Sequence, residues 1–229
     1  MRRWRLISVL LVLAGVGLLA VAALHYFRGY EAQRTGRRAW EEARARPVPT
    51  LHVPTPTAKE NPSILQPSPP PSAEQPQAPP YPRGQPIARL RIPSAEMDYV
   101  VFGGADPETL EKGPGHVPGT EMPGEDTGRN NCVITGHRDS HFRRLGWLRK
   151  GHRIELETPS GSFSYRVVSR EIVKPDAVRV LQPTAKPRLT LITCYPFNYV
   201  GAAPERLVVV AEPVLPEDHA RTLPARHPS

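Results

Sequence analysis

The sequence predicts a mainly β protein: an eight-stranded β-barrel with one or two short helices, preceded by a single transmembrane helix and a Pro-rich linker. Three observations predict it. Leu6 to Leu24 is an uncharged apolar run, long enough at ~1.5 Å per helical residue to cross a hydrocarbon core of about 30 Å. Between Pro47 and Pro86 the chain holds 14 of its 29 prolines, a composition that buries no core. After that, short segments alternate apolar and polar residues between Gly- and Pro-rich turns, the pattern of half-buried strands.

The apolar run follows Arg2, Arg3 and Arg5, and its length exceeds a usual signal-peptide core of about 7 to 15 residues. Residues 1–27 are therefore expected to be an uncleaved anchor, although Ala20-Val21-Ala22 resembles a cleavage site. Basic residues on the two flanks do not fix its orientation, because Arg28, Arg34, Arg37, Arg38 and Arg44 outnumber the leading arginines. The very short leader favours a cytoplasmic N-terminus. Residues 28–46 carry Arg and Glu on all sides and read as a solvated stalk with no core face. Residues 47–82 read as a disordered spacer that in polyproline form reaches on the order of 100 Å, at about 3.1 Å per residue.

The domain is expected over 83–214. "IARLRI" (Ile87 to Ile92) and "DYVVFG" (Asp98 to Gly103) are strands, and Asp106 to Gly113 is a short helix with Asp106 as N-cap, Pro107 at the first turn and Gly113 as stop. "NCVITGH" (Asn131 to His137) is a strand. "HRIELET" and "FSYRVVS" flank Pro159-Ser160-Gly161 and form a hairpin, followed by "REIVK". "RLTLIT" (Arg188 to Thr193) and "RLVVVAE" (Arg206 to Glu212) complete about eight strands, and closing them into a barrel removes exposed edges. The tail, 215–229, reads as disordered.

Charge narrows the function. The chain carries a formal +8, yet residues 83–214 hold 18 Lys/Arg against 15 Asp/Glu, with no basic stripe interleaved with aromatics. Nucleic acid is not an expected partner. Cys132 and Cys194 are the two cysteines, and in an exported protein a disulfide is the plain expectation. Their settings differ, however. Cys132 lies inside a strand on the face of Ile134, as a small core residue does. Cys194 lies where a strand gives way to a loop, a place that presents reactive groups.

A thiol with a pKa near 8.5 needs a cation or base beside it to react as thiolate at neutral pH. His137 also closes a strand, so two neighbouring strands would bring it to Cys194 at one barrel mouth. Arg206 opens a third strand, where a fixed guanidinium can donate to a substrate carbonyl and to the oxyanion formed from it. His137 and His141 are four apart, but no third ligand follows as in a helical zinc motif. The acidic stretch Pro123 to Gly128 lacks the alternating Asp/Asn pattern of a calcium loop. No metal and no cofactor is expected.

With these residues in view, "GHRDSHFRRLGWLRKG" (Gly136 to Gly151) and "TLITCYPFNYVGAAPERLVVVAE" (Thr190 to Glu212) resemble the sortase family, most closely its class D branch. The resemblance implies the eight-stranded sortase-type barrel and a membrane-anchored cysteine transpeptidase. It implies Cys194 as nucleophile, His137 as catalytic histidine, Arg206 as catalytic arginine and Thr193 as a substrate-groove residue. The implied partners are exported proteins carrying a C-terminal LPxTG-like sorting signal, and an amine acceptor from a peptidoglycan precursor or a protein lysine. Cys132 stands where the family leads one to expect Val or Ala, and leaves open an oxidised form that silences Cys194. The rival readings are a non-catalytic, disulfide-stabilised barrel that binds an envelope partner, and a plain cysteine peptidase.

Overall fold

The computed structural model describes residues 2–45, 81–121 and 128–214. The expected Pro-rich spacer apart from its last two residues, the acidic stretch apart from Gly128, and the tail lie outside the described residues. Among those described, eight strands close into one barrel, in the ring order β1-β2-β3-β4-β7-β8-β6-β5. The strands are β1 (Pro86–Ile92), β2 (Met97–Gly103), β3 (Gly115–His116), β4 (Asn131–Thr135), β5 (Arg153–Thr158), β6 (Gly161–Val173), β7 (Arg188–Tyr195) and β8 (Glu205–Pro213).

Strand parity builds two layers. Cys132 and Ile134 of β4, Leu189 and Leu191 of β7, and Leu207, Val209 and Ala211 of β8 point inward, where they join Leu90, Ile92, Phe142, Leu145 and Leu156 in the main core. The intervening residues Val133, Ile192 and Val208 point outward and form a second apolar cluster with Val173 and Val180. That second cluster rests under the short 3-10 turn Val178–Leu181, which Asn131 pins to the sheet by donating its side-chain amide to the Val180 and Gln182 carbonyls, at 3.1 and 2.9 Å.

Most expected elements stand where the pattern puts them. The helix α2 (Pro107–Lys112) is capped by the Asp106 carboxylate, which accepts from the Thr109 N–H at 3.1 Å. The two segments read as "FSYRVVS" and "REIVK" are one long strand, β6, whose register against β8 shifts between Val167 and Ser169. A bulge of that kind changes the side-chain alternation midway, so period-two reading breaks the strand in two. The two-residue β3 carries no periodicity at all.

The main correction concerns residues 28–46, expected to be solvated on every side. One helix, α1, runs from Arg2 to Ala45. Its N-terminal part, within Leu10–Glu42, is long and apolar enough to cross a membrane, while its C-terminal part lies against the barrel. Trp40 is only 1% exposed. Gly36 meets the rim of the Phe102 ring, where an added Cβ would stand 2.8 Å from Cζ. Gln33 answers a defect in the sheet: β3 pairs with β2 at Phe102 and Gly103, and among the described residues no strand stands opposite Val100 on that edge. The Gln33 carboxamide accepts from the Val100 N–H at 2.9 Å and donates to the Val100 and Lys112 carbonyls at 3.2 and 2.8 Å. The docking stripe is thus Gly29, Gln33, Gly36 and Trp40, a helical spacing made of the wrong residue types for a hydrophobic-face search.

Candidate active site

The parallel pairing of β4 with β7 decides where His137 and Cys194 lie. Thr135 stands opposite Ile192, and the Gly136 N–H continues the ladder by donating to the Ile192 carbonyl at 3.2 Å. Two residues further along each chain are His137 and Cys194, so they come level. On the other side of β7, Cys194 is directly opposite Arg206 in the antiparallel pair with β8. Paired residues share a face, with Cβ atoms about 4.5–5.5 Å apart. The three residues thus converge on one stretch of wall.

That stretch is the outer surface of the barrel near its rim. Cys194 has the parity of the outward Ile192, and Arg206 that of the outward Val208. The residues expected at one barrel mouth thus stand on the outer face of the wall near that rim, while the inward Thr193 and Leu207 beside them are buried. Below the three residues runs a groove of about 220 Å³ lined by Thr135, Val173, Val178, Val180 and Ile192, with Arg206 at its edge. The Arg206 guanidinium donates to the Ala203 and Glu205 carbonyls, at 3.1 and 2.8 Å. These bonds hold it on the β7–β8 loop.

Thr193 is placed differently from what the resemblance implies. It is 1% exposed and turned to the face opposite Cys194, and its hydroxyl donates to the Gly136 carbonyl at 2.8 Å. It ties β7 to the residue before His137 and is not among the residues lining the groove beside Arg206. Arg138, which follows His137 and has no role assigned from the sequence, does a related job. Its buried guanidinium donates to the Pro196 carbonyl at 2.8 Å and the Gly201 carbonyl at 3.4 Å, and pairs with Asp139 at 3.1 Å. One side chain next to His137 thereby grips the chain two residues past Cys194 and the loop leading to Arg206. Phe197 is wedged from the other side by Gly146, where a Cβ would come within 2.7 Å of the ring.

The cysteines are both free. Cys132 pairs with Leu189 on β7, five residues before Cys194, which is about 16 Å along a strand at roughly 3.3 Å per residue. A disulfide needs Cα atoms within about 7 Å, so this fold forms no Cys132–Cys194 bridge, and both the silenced form and the disulfide-stabilised rival are set aside. Burial pushes the Cys132 thiol pKa up, which leaves it inert. His141 packs edge-on against Tyr99, with ring centroids 5.3 Å apart. Burial, with a smaller contribution from His137, lowers its pKa to about 4, so it is neutral at pH 7 beside the site. Among the described residues no group of three His, Cys, Asp or Glu side chains is arranged to hold a metal ion.

Comparison with known proteins places this geometry. The sortase domain model matches residues 90–214. The chain is similar to sortase D of Bacillus subtilis (strain 168), with 38% identity over 132 residues, 57% of this chain and 65% of that protein. It is also similar to sortase A of Bacillus anthracis, with 29% identity over 48% of this chain and 52% of that one. The matches thus span less than two thirds of the length of these curated relatives. Among solved structures, a Clostridium perfringens sortase D5 transpeptidase superposes with a TM-score of 0.52 at 27% identity, covering 58% of this chain and 81% of its own. Sortase C-1 of Actinomyces oris gives 0.52 at 32% identity, covering 57% and 75%. With one family model spanning β1 to β8 and these neighbours sharing the barrel, the chain belongs to the sortase family.

Proposed function

We propose that the protein is a membrane-anchored cysteine transpeptidase acting on an LPxTG-like sorting signal near the C-terminus of exported proteins. The observation that carries this is the register that makes His137, Cys194 and Arg206 adjacent on one outer face. The groove beneath them is mostly apolar, with Lys174, Asp176 and Arg206 also in its lining, which suits an extended peptide of the proposed kind.

In the proposed cycle the Cys194 thiolate attacks the carbonyl carbon of the Thr–Gly-type bond, and the pair of electrons displaced from the carbonyl settles on its oxygen. Arg206 donates hydrogen bonds to that oxygen. As the tetrahedral species collapses, the C–N bond breaks and His137, as imidazolium, gives its proton to the departing amine. A thioacyl enzyme remains. A primary amine then attacks the thioester, His137 takes its proton, and the thiolate leaves. The amine comes from a peptidoglycan precursor or a protein lysine, and water in its place gives hydrolysis. The reading includes a cell-membrane location, with the N-terminus cytoplasmic and residues 83–214 outside.

The test uses the full chain and an LPxTG peptide with an added amine. Mass spectrometry should find a thioacyl adduct on Cys194 and amine incorporated into the released acyl product. Cys194→Ala should remove both, and Cys132→Ala should keep both. Turnover by the Cys194→Ala variant would sink the assignment, and a product containing only water-derived carboxylate would make the protein a peptidase.

A further inference from the structure

The sequence leaves the barrel at the end of a long spacer, free to stand far from the bilayer. The docked half of α1 gives a different geometry. The helix makes its barrel contacts in order along its length. Gly29 passes the Glu111 carbonyl of α2, Gln33 reaches Lys112 and Val100, and Gly36 sits on Phe102. Arg37 then pairs with Asp98 of β2 at 3.4 Å, and Arg44 with Glu157 of β5 at 2.9 Å. The helix thus crosses the outer wall from α2 over β2 to β5. In an eight-strand ring with this order, β1 and β7 are four steps apart in either direction. The wall that receives α1 and the wall that carries Cys194 are diametrically opposed.

We propose that this β2–β1–β5 wall is the docking surface for the juxtamembrane helix, and that it fixes the barrel at the bilayer surface with α2 lowermost and Cys194 facing away from the helix. Four residues lie between Leu24, the last of the apolar run, and Gly29, which meets α2, a rise of about 7 Å at ~1.5 Å per residue. From Gly29 to Arg44 the helix climbs about 22 Å, which sets the height of β5 above α2. Residues 46–80 then have only to join two points of one body, Ala45 and Tyr81, and their reach sets no distance from the membrane. In this orientation β4 is nearer the bilayer and β8 farther from it, so His137 and Arg206 flank Cys194 from below and above. This inference rests on the membrane-anchor part of the proposed function.

Two single-probe chains in a Cys194→Ala background, Glu108→Cys on α2 and Arg153→Cys on β5, are labelled with a fluorophore, with Cys132 protected by burial. They are reconstituted in phosphatidylcholine–phosphatidylglycerol vesicles carrying an acceptor-labelled lipid. The probe on α2 should show about twofold more transfer than the one on β5, given a height difference of about 20 Å. The double substitution Gln33→Ala with Gly36→Leu removes the carboxamide and fills the Phe102 contact, while leucine keeps the helix strong. It should erase the difference without changing turnover of a soluble peptide by chains that retain Cys194. Equal transfer in the unaltered wall, or a difference that survives the double substitution, overturns the proposal. Failure of the chain to float with vesicles overturns the anchor reading and the orientation with it. Exchange of the Val100 amide, measured on the same sample, then judges the docking alone: Gln33→Ala should speed it about tenfold, and unchanged exchange rejects the docked helix.

Discussion

The two opposed walls of this barrel follow the same strand alternation and put it to opposite uses. On the β4–β7–β8 wall the outward residues Val133, Ile192 and Val208 are apolar, yet they are only roofed by a short 3-10 turn, and a groove stays open beside Arg206. On the β2–β1–β5 wall the outer surface is closed by α1, with Trp40 sealed beneath it. The open apolar strip beside Cys194, His137 and Arg206 suits the peptide proposed above. The covered wall is largely charged, with Arg89, Arg91, Asp98 and Glu157 around Val100 and Phe102, and receives the protein's own helix. The difference teaches that what marks the proposed active wall is unmatched apolar surface beside polar, reactive ends, since both walls share the inner core.

The largest effect that sharpens the contrast is on the open wall. Arg206→Ala should lower kcat for the sorting-signal peptide by about 10²–10³, the usual loss when one oxyanion donor is removed, with little change in thermal unfolding of the barrel. Activity kept within a few-fold would mean that the oxyanion is held by another donor. Next is the covered wall. Trp40→Ala should cost about 3 kcal/mol in the docking and unfolding of α1, at the low end for a buried aromatic, because a helix can lift away instead of leaving a cavity. Its effect on turnover of a soluble peptide should be nil. Calorimetry and peptide kinetics on the same variant check the two halves of this statement together.

The same contrast explains what the sequence made legible. The open wall announces itself through residue chemistry: Cys194 before Pro196, His137 after a strand, Arg206 opening another, each at a strand end. The barrel was legible because seven of its strands are long enough to show alternation. The covered wall was not, since its docking stripe of Gly29, Gln33, Gly36 and Trp40 has one apolar side chain in four and serves by closeness and by hydrogen bonding to an unpaired strand edge. Thr193 and Asn131 were hidden for a related reason. A buried hydroxyl and a buried amide look like any polar residue until the carbonyls they satisfy are known.

Arg138 gives a smaller effect confined to the open wall. Its guanidinium holds the Pro196 and Gly201 carbonyls but touches no reacting atom, so it is a positioning residue. Arg138→Ala should reduce kcat about tenfold, near 1.4 kcal/mol, while KM stays within about twofold. Arg138→Lys, able to reach one carbonyl, should recover part of that loss. A general fall in stability, with kcat and KM both moving and no recovery by lysine, would show a merely structural role.

The smallest expected effect belongs to the covered wall and comes from Asp98. Its carboxylate takes two hydrogen bonds from Arg89, at 2.8 and 2.7 Å, and lies 3.4 Å from Arg37 of α1. The hydrogen bond from Arg89 holds its pKa below the ordinary carboxylate value, with the Arg89 and Arg37 charges adding to this and partial burial opposing it. A carboxylate depressed in the folded state stabilises that state above its unfolded pKa, near 3.9, and the contribution disappears as pH falls through the folded value. Because the pair is more than a third exposed, solvent screening limits the part owed to α1 to less than about 1 kcal/mol. Acidification below about pH 4 should therefore loosen α1 slightly, seen as faster exchange at Val100, and Arg37→Gln should remove the share of that pH dependence that passes through the helix. The ladder between β4 and β7 contains no such carboxylate, so exchange at Gly136 should not respond in the same window. If both walls loosen together, the helix and the site share one cooperative unit, and the independence argued for the two faces fails.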